Sequence, residues 1–329
     1  MNKILIILGT RPQYIKIKPL YDYLKKNNAN FFMIDTNQHF SFNVSDVFID
    51  EFNIDINYNL GIKNTSSIGF LSQSIIEIEK VVDKEKPSVV LVIGDTNSTL
   101  SGALVANKKD IVLGHIEAGI RCGDKNRPEE VNRILVDELS NIHFISRKQD
   151  KINVSNPFLV GDLEYNLLNS LNIQDSIYEE WILMTIHRKE NTTEKRIREI
   201  FETCEKNEGV FVFPIHHRTK KLIEKNNIKL PSNIIEIESQ SYKNILSLLS
   251  RCKGLFTDSG GLVKIAPFFG KKCLVPLDVI EWVDVVDKGY CSCGLDFSWF
   301  DECEIQCNKD LYYNPKACSI IYERIKDYV

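Results

Sequence analysis

A chain of 329 residues is longer than one ordinary core and suits two domains. Its 43% hydrophobic and 26% charged residues exclude a disordered chain, and no apolar run approaches the roughly 20 residues of a membrane-spanning helix. A formal charge of −4, from 41 basic and 45 acidic residues mixed along the chain, excludes the basic stripe that nucleic acid demands but leaves room for a small anionic ligand.

The N-terminus has Lys3, five apolar residues and then Gly9. That is too short a core for a signal peptide, so a cytoplasmic protein is expected. From there, strand-like apolar runs at residues 3–9, 31–35, 89–94, 111–115 and 142–145 alternate with helical patterns at 15–26, 67–82, 98–106 and 130–139. Apolar runs without polar alternation predict a parallel sheet buried on both faces, and their alternation with helices predicts βαβ units. The pattern restarts with strands at 182–186, 210–214, 234–237, 254–257 and 273–276, and helices at 194–206, 220–225, 242–252 and 261–269. One more helix is predicted within 315–329. The fold class is therefore α/β, with two Rossmann-like doubly wound domains expected to face a central cleft. The boundaries read as 1–165 joined by 315–329, then 166–314, with the polar stretch 172–180 as linker. In doubly wound sheets ligands sit beyond the carboxyl ends of the strands, so the polar residues there matter most.

After the first strand comes Gly9-Thr10-Arg11-Pro12-Gln13, with Lys16 a turn later. The glycine suits a tight turn and the proline a first helical turn, which puts Arg11 and Lys16 near a helix start that favours anions. Solvated surface cations are the alternative. The G-x-G-x-x-G dinucleotide fingerprint is absent. In Gly94-Asp95-Thr96-Asn97-Ser98, Asn97 or Ser98 could cap the next helix, which frees Asp95 for a site. Gly114-His115-Ile116-Glu117-Ala118-Gly119 interleaves polar residues with glycine after a core strand and makes Glu117 a candidate acid or base. Arg127-Pro128-Glu129-Glu130 opens a helix, where Glu129 and Glu130 could simply complement the dipole; both roles coexist only if one of the two faces the cleft. His187-Arg188 and His216-His217 each follow a strand, as proton shuttles or as satisfied structural histidines. Thr257-Asp258-Ser259-Gly260-Gly261 exposes backbone N–H groups at a helix start, a cradle for a pyrophosphate or a plain tight turn.

The nine cysteines are expected to be free thiols. The denser group Cys291, Cys293, Cys303 and Cys307 has a C-x-C plus C-x-x-x-C spacing that is no familiar zinc knuckle, so no metal is expected.

Taken together, Gly9-Thr10-Arg11-Pro12 with Lys16, Gly94-Asp95-Thr96, His115-Ile116-Glu117-Ala118-Gly119 with Arg121, Pro128-Glu129-Glu130 with Asn132-Arg133, His187-Arg188 with Glu190, and Thr257-Asp258-Ser259-Gly260-Gly261 resemble the non-hydrolysing UDP-N-acetylglucosamine 2-epimerase family. The pieces occur in the family's order across nearly the whole chain. The resemblance implies a glycosyltransferase-B type fold and a homodimer. It also implies elimination of the nucleotide from C1 as a base takes the C2 proton, then re-addition after reprotonation on the opposite face. No cofactor is called for, and the partner is a nucleotide-sugar. On this resemblance Asp95, Glu117, Glu129 and His187 match catalytic positions, while Arg11, Lys16, His216, Ser259 and Gly260 match positions near the phosphates. His39, Arg133 and Gly261 complete the expected substrate-binding set.

Two departures stand out. Where the family continues its Ser-Gly-Gly with Gln-Glu-Glu or Gln-Lys-Glu, this chain has Val263-Lys264-Ile265, and Ile265 cannot accept the ribose hydrogen bonds of the family's last glutamate. One lost charge-assisted pair corresponds to about 1.5–3 kcal/mol, or tenfold to a hundredfold in affinity. The usual arginine of the following region is replaced by Pro276-Leu277-Asp278. Glu281-Trp282 and Arg11-Pro12-Gln13 instead resemble the subgroup that epimerises diacetamido uronic acid sugars.

Overall fold

A strand of five apolar residues with no polar alternation can be stable only where both faces are covered. Ile4–Leu8 is such a strand, and every residue of it is buried. The computed structural model describes residues 3–38, 52–63, 66–171, 179–278, 280–302 and 305–329. It divides into two compact units, Met1–Ser170 with Tyr312–Val329, and Leu171–Leu311.

In the first unit the strands are β1 (Ile4–Leu8), β2 (Phe31–Asp35), β3 (Tyr58–Asn59), β4 (Val89–Ile93), β5 (Val112–Ala118), β6 (Ile142–Ile145) and β7 (Pro157–Leu159). Among the described residues they form one parallel sheet in the order β3-β2-β1-β4-β5-β6-β7. The helices are α1 (Arg11–Lys26), α2 (Ser67–Glu85), α3 (Asn97–Lys108), α4 (Pro128–Leu139), α5 (Leu163–Ser170) and, from the end of the chain, α12 (Ala317–Ile325). The last of these packs on α1, with Ile321 fully buried and the Tyr23 and Tyr322 rings 6.1 Å apart.

The second unit repeats the design. Its strands are β8 (Trp181–Thr185), β9 (Val210–Pro214), β10 (Ile234–Ile237), β11 (Gly254–Thr257), β12 (Lys272–Val275) and β13 (Cys291–Cys293). They are parallel in the order β10-β9-β8-β11-β12-β13. The helices are α6 (Glu194–Glu205), α7 (His217–Lys225), α8 (Tyr242–Arg251), α9 (Gly260–Ile265), α10 (Val283–Asp287) and α11 (Trp299–Glu302). Both units are thus Rossmann-like, and in each the strand order reverses at the first strand. The switch points lie between β1 and β4, and between β8 and β11, where open α/β sheets form their ligand crevice.

The structure lengthens several expected elements. Helix α1 starts at Arg11 and α7 at His217, because their first turns are polar and carry no apolar periodicity. Strand β5 runs past His115 to Ala118 through a bulge. The three-residue strands β7 and β13 and the short helices α5, α10 and α11 are too brief to show a period. Helix α5 keeps residues 166–170 in the first unit, and residues 172–178 of the expected linker lie outside the described residues, as do His39 and Cys303.

Gly9, directly after β1, shows how tightly the first switch point is packed. A Cβ there would stand 2.0 Å from Ser98 Oγ and 2.2 Å from Thr36 Oγ1, two buried hydroxyls 2.6 Å apart. Gly9→Ala forces both to move, and overpacking of this kind costs about 1–3 kcal/mol. A lowered melting temperature with an unchanged circular-dichroism spectrum is the expected result.

Candidate functional site

At the first switch point a single amide side chain joins two turns. Buried Gln13 accepts from the N–H groups of Gly9 (2.9 Å) and Thr10 (3.0 Å). Its Nε2 donates to the Ile93 carbonyl (2.8 Å) and to Thr99 Oγ1 (3.0 Å). The loops after β1 and β4 are thereby held in register, and α1 projects Lys16 towards the end of β5. The cap of α3 is Thr96, whose hydroxyl accepts from Thr99 N–H at 3.2 Å, rather than the expected Asn97 or Ser98. Asp95 is left outside the cap and 28% exposed.

Glu117 is the most unusual residue of this group. The bulge in β5 falls between Ile116 and Ala118, and Glu117 adopts a left-handed backbone with φ +68°. A non-glycine residue pays roughly 1–3 kcal/mol for such a conformation, which recurs at functional sites. The bulge brings the carboxylate to Lys16, with Oε2 2.6 Å from Nζ, and against the Gly94 turn. Gly94 itself has φ +71°, and a Cβ there would stand 3.3 Å from Glu117 Oε2. Glu117 is 7% exposed.

Helix α4 supplies the other wall. Of the two glutamates in its first turn, Glu130 is buried and Glu129 is exposed. Glu130 accepts from the N–H groups of Cys122 and Gly123 and from Arg133 Nη1 (2.9 Å). Burial alone would push its carboxyl up, but those donors outweigh it and hold it below the usual carboxylate range. Arg133, expected among the substrate-binding positions, is buried and bridges Glu130 to Asp95 Oδ2 at 2.5 Å. Asn132 Nδ2 donates to the Asp95 carbonyl at 2.9 Å. Asp95, Glu117, Lys16 and Arg133 are therefore gathered around the ends of β4 and β5. Arg11, half-buried in the first turn of α1, lies at the end of β1.

At the second switch point the organising group is Asp258, 1% exposed. Its carboxylate accepts from the N–H groups of His187 (3.0 Å) and Arg188 (2.9 Å) and from Asn191 Nδ2 (3.1 Å), and lies 3.1 Å from His187 Nδ1. Burial disfavours its charge, but His187 and the other donors prevail and hold the carboxyl below its ordinary range. The His187 ring stays 38% exposed, oriented by Asp258 as a catalytic imidazole is by its carboxylate partner. His216 caps α7 by accepting from Arg218 N–H, and its ring centroid is 5.7 Å from that of His187. Arg188 is clamped by both oxygens of Glu281, at 3.1 and 3.2 Å. Its guanidinium overlies Gly260, where a Cβ would meet Nη2 at 3.0 Å. Ser259 caps the helix that begins at Gly260, and Gly261 is exposed beside it.

Because Asp137, Glu130 and Asp258 all have lowered folded values, their stabilising share is complete above the unfolded carboxylate range of about 4 and is lost as pH falls through the folded values. The melting temperature is expected to be level above about pH 5 and to fall below about pH 4. Asp258→Asn should flatten part of that acid slope, which scanning calorimetry across pH will measure.

Asp137 and the orienting role of Asp258 are not anticipated from the sequence, and of the two glutamates named there Glu129, not Glu130, is matched to a catalytic position. A signal for Asp137 and for the choice of Glu130 exists: Glu130, Arg133 and Asp137 recur at i, i+3 and i+7, so charged residues occupy one face of α4. All three are buried.

Residues 22–294 match the family model described as UDP-N-acetylglucosamine 2-epimerase. The chain belongs to the UDP-N-acetylglucosamine 2-epimerase family. Within it, the chain is 38% identical to a UDP-N-acetylglucosamine 2-epimerase homolog of Methanococcus maripaludis, over 88% of this chain and 87% of that one. It is 37% identical to the UDP-2,3-diacetamido-2,3-dideoxy-D-glucuronate 2-epimerase of Pseudomonas aeruginosa, over 87% of this chain and 86% of that protein. The crystal structure of Methanocaldococcus jannaschii UDP-GlcNAc 2-epimerase in complex with UDP-GlcNAc and UDP superposes with a TM-score of 0.87 at 33% identity, covering 99% of this chain and 100% of that one. Against this epimerase background the departure at 263–265 is structural as well as chemical. Val263, Lys264 and Ile265 are each 1% exposed, and Lys264 Nζ lies 5.3 Å from the centroid of the Trp282 ring.

Proposed function

We propose that this enzyme inverts C2 of UDP-N-acetylglucosamine or a related UDP-linked acetamido sugar, in the cytoplasm, in surface glycan biosynthesis. The first unit takes the sugar and the second the nucleotide. A carboxylate of the first unit removes the C2 proton while the C1–oxygen bond breaks, its electron pair leaving with the diphosphate. The resulting 2-acetamidoglucal is reprotonated on its other face, and the nucleotide adds back to C1. Asp95, Glu117 and Glu129 are the acid–base candidates. His187, Arg188, Arg11, Lys16, His216 and the Ser259-Gly260 turn supply donors and positive charge for the departing diphosphate. The observation that carries this reading is Glu117: a carboxylate displaced from its strand by a bulge, in a left-handed conformation, 2.6 Å from Lys16 at a topological switch point.

Ile265 favours a weaker hold on the ribose than a glutamate would give, and Glu281-Trp282 favours a diacetamido uronic acid sugar. The test is to incubate UDP-N-acetylglucosamine and UDP-2,3-diacetamido-2,3-dideoxyglucuronate separately with the protein in deuterated water and to follow C2 by NMR. Deuterium at C2 with the nucleotide still attached supports epimerisation. Release of free sugar would instead indicate a hydrolysing enzyme, and binding without exchange a nucleotide-sugar-binding protein.

A homodimer is part of the same reading. Ile68 and Ile76 on α2 and Val131 and Leu135 on α4 are exposed, on helices that flank α3. Exposed apolar residues on neighbouring helices suit an isologous interface. Leu135→Asp with Ile76→Asp should halve the mass measured by light scattering; an unchanged mass would remove these helices from the interface.

A further inference from the structure

His115 is fully buried near the end of β5, yet both of its ring nitrogens have partners. Nδ1 lies 2.7 Å from Asp137 Oδ1, and Nε2 lies 2.8 Å from the main-chain oxygen of Gly94. A carbonyl oxygen has no hydrogen to give, so Nε2 donates. Asp137 accepts on its other oxygen from Gly119 N–H (3.1 Å) and Arg121 Nη1 (2.6 Å). Burial works against its charge, but His115 and Arg121 overcome that and keep the carboxyl below its usual range. With Gly119 N–H and the Arg121 guanidinium both donating to Oδ2, the favoured partner on the other side is a carboxylate Oδ1 that accepts from Nδ1.

The charges facing the ring come from every neighbouring element. Asp137 projects from α4, and Arg121 lies in the loop after β5. On β6, His143 pairs with His115 in register, and its Nε2 donates to the Asp137 main-chain carbonyl at 2.8 Å. Directly after β4 the Gly94 carbonyl is engaged, and beyond it stands the Lys16–Glu117 pair. One carboxylate thus lies between the imidazole and the Arg121 guanidinium. The same Gly94 donates its N–H to the Ile116 carbonyl at 3.0 Å, so β5 grips both polar groups of this residue.

We propose that His115 is a positioning residue: a buried, doubly protonated imidazolium that ties Asp137 to the Gly94 carbonyl and so sets the turn carrying Asp95 against Glu117. The inference rests on the epimerase reading for its kinetic consequence, but not for the state of the ring.

Two measurements test it. In the full-length 15N-labelled protein, both ring nitrogens of His115 should carry a proton at pH 7, each read as a one-bond N–H coupling, because each faces an acceptor oxygen. A single protonated ring nitrogen at pH 7 would overturn the proposal, and the measurement requires no turnover. The second compares His115→Gln with His115→Asn. The longer amide reaches the position of Nε2 and restores a donor to Gly94; the shorter one reaches that of Nδ1 and restores only the link to Asp137. His115→Gln should keep C2 exchange within about tenfold of the parent, while His115→Asn should lose about a hundredfold in kcat with KM nearly unchanged, the size expected for a small misplacement of reacting groups. Equal losses in two folded variants would count against positioning through Gly94. If no UDP-sugar exchanges with the parent protein, the epimerase reading fails while the ring measurement still decides the state of His115.

Discussion

Glu117→Gln is expected to abolish detectable deuterium exchange at C2 of the UDP-sugar, a loss of about 10²–10⁴ in rate, because the amide cannot take a proton. The substitution is nearly isosteric and retains an oxygen that can face Lys16 Nζ. The left-handed backbone at this position belongs to the bulge in β5 rather than to the charge of the side chain. The melting temperature should fall only slightly, because the amide oxygen still accepts from Lys16 Nζ; with Lys16 19% and Glu117 7% exposed, removing the acceptor altogether would cost more. KM for the UDP-sugar should also stay close to that of the parent, because the loss falls on the transition state. Exchange at the parental rate in a folded Glu117→Gln protein would remove the residue from the reaction.

Asp137→Ala should have the largest effect on stability. Its carboxylate, 4% exposed, receives His115 Nδ1, Gly119 N–H and Arg121 Nη1. Truncation leaves the buried imidazole Nδ1, the half-buried Arg121 guanidinium and one backbone donor without their acceptor. Breaking one side of such a network costs about 3–5 kcal/mol, because the remaining charge stays desolvated. At roughly 2–4 °C per kcal/mol for a domain of this size, the melting temperature should fall by about 6–20 °C. Glu138→Ala, one residue further on and exposed, serves as the control and should shift the transition hardly at all. A melting temperature for Asp137→Ala equal to that control would show that the network does not carry the packing of α4 on β5.

Much of this fold is legible before any coordinates. The strands Phe31–Asp35, Ile142–Ile145, Val210–Pro214, Ile234–Ile237 and Gly254–Thr257 are read to the residue, because their apolar runs are bounded by polar or turn-forming neighbours. Two successive βαβ series are enough to predict two parallel sheets. The candidate carboxylates Asp95 and Glu117 are also visible, because polar residues after a core strand have few packing roles. The readings that failed or stayed open concern where a helix starts and which face it turns inward. Asn97 or Ser98 is the expected cap of α3, but the helix starts one residue earlier and Thr96 caps it through Thr99 N–H. Glu129 and Glu130 are adjacent and chemically alike; the way α4 is rotated on the sheet buries the second and exposes the first.

What the amino-acid sequence determined by itself was local: which segments alternate as strand and helix, where glycine must follow a strand, and which polar residues stand at strand ends. These follow from side-chain period and backbone sterics over a few residues. Tertiary structure alone decided which of those residues meet. Lys16 finds Glu117 across 101 positions, Asp258 receives His187 across 71, and Asp137 reaches His115 across 22. Such pairs depend on the order in which parallel strands stand side by side and on the face each helix turns inward, and neither is written in the spacing of residues along the chain.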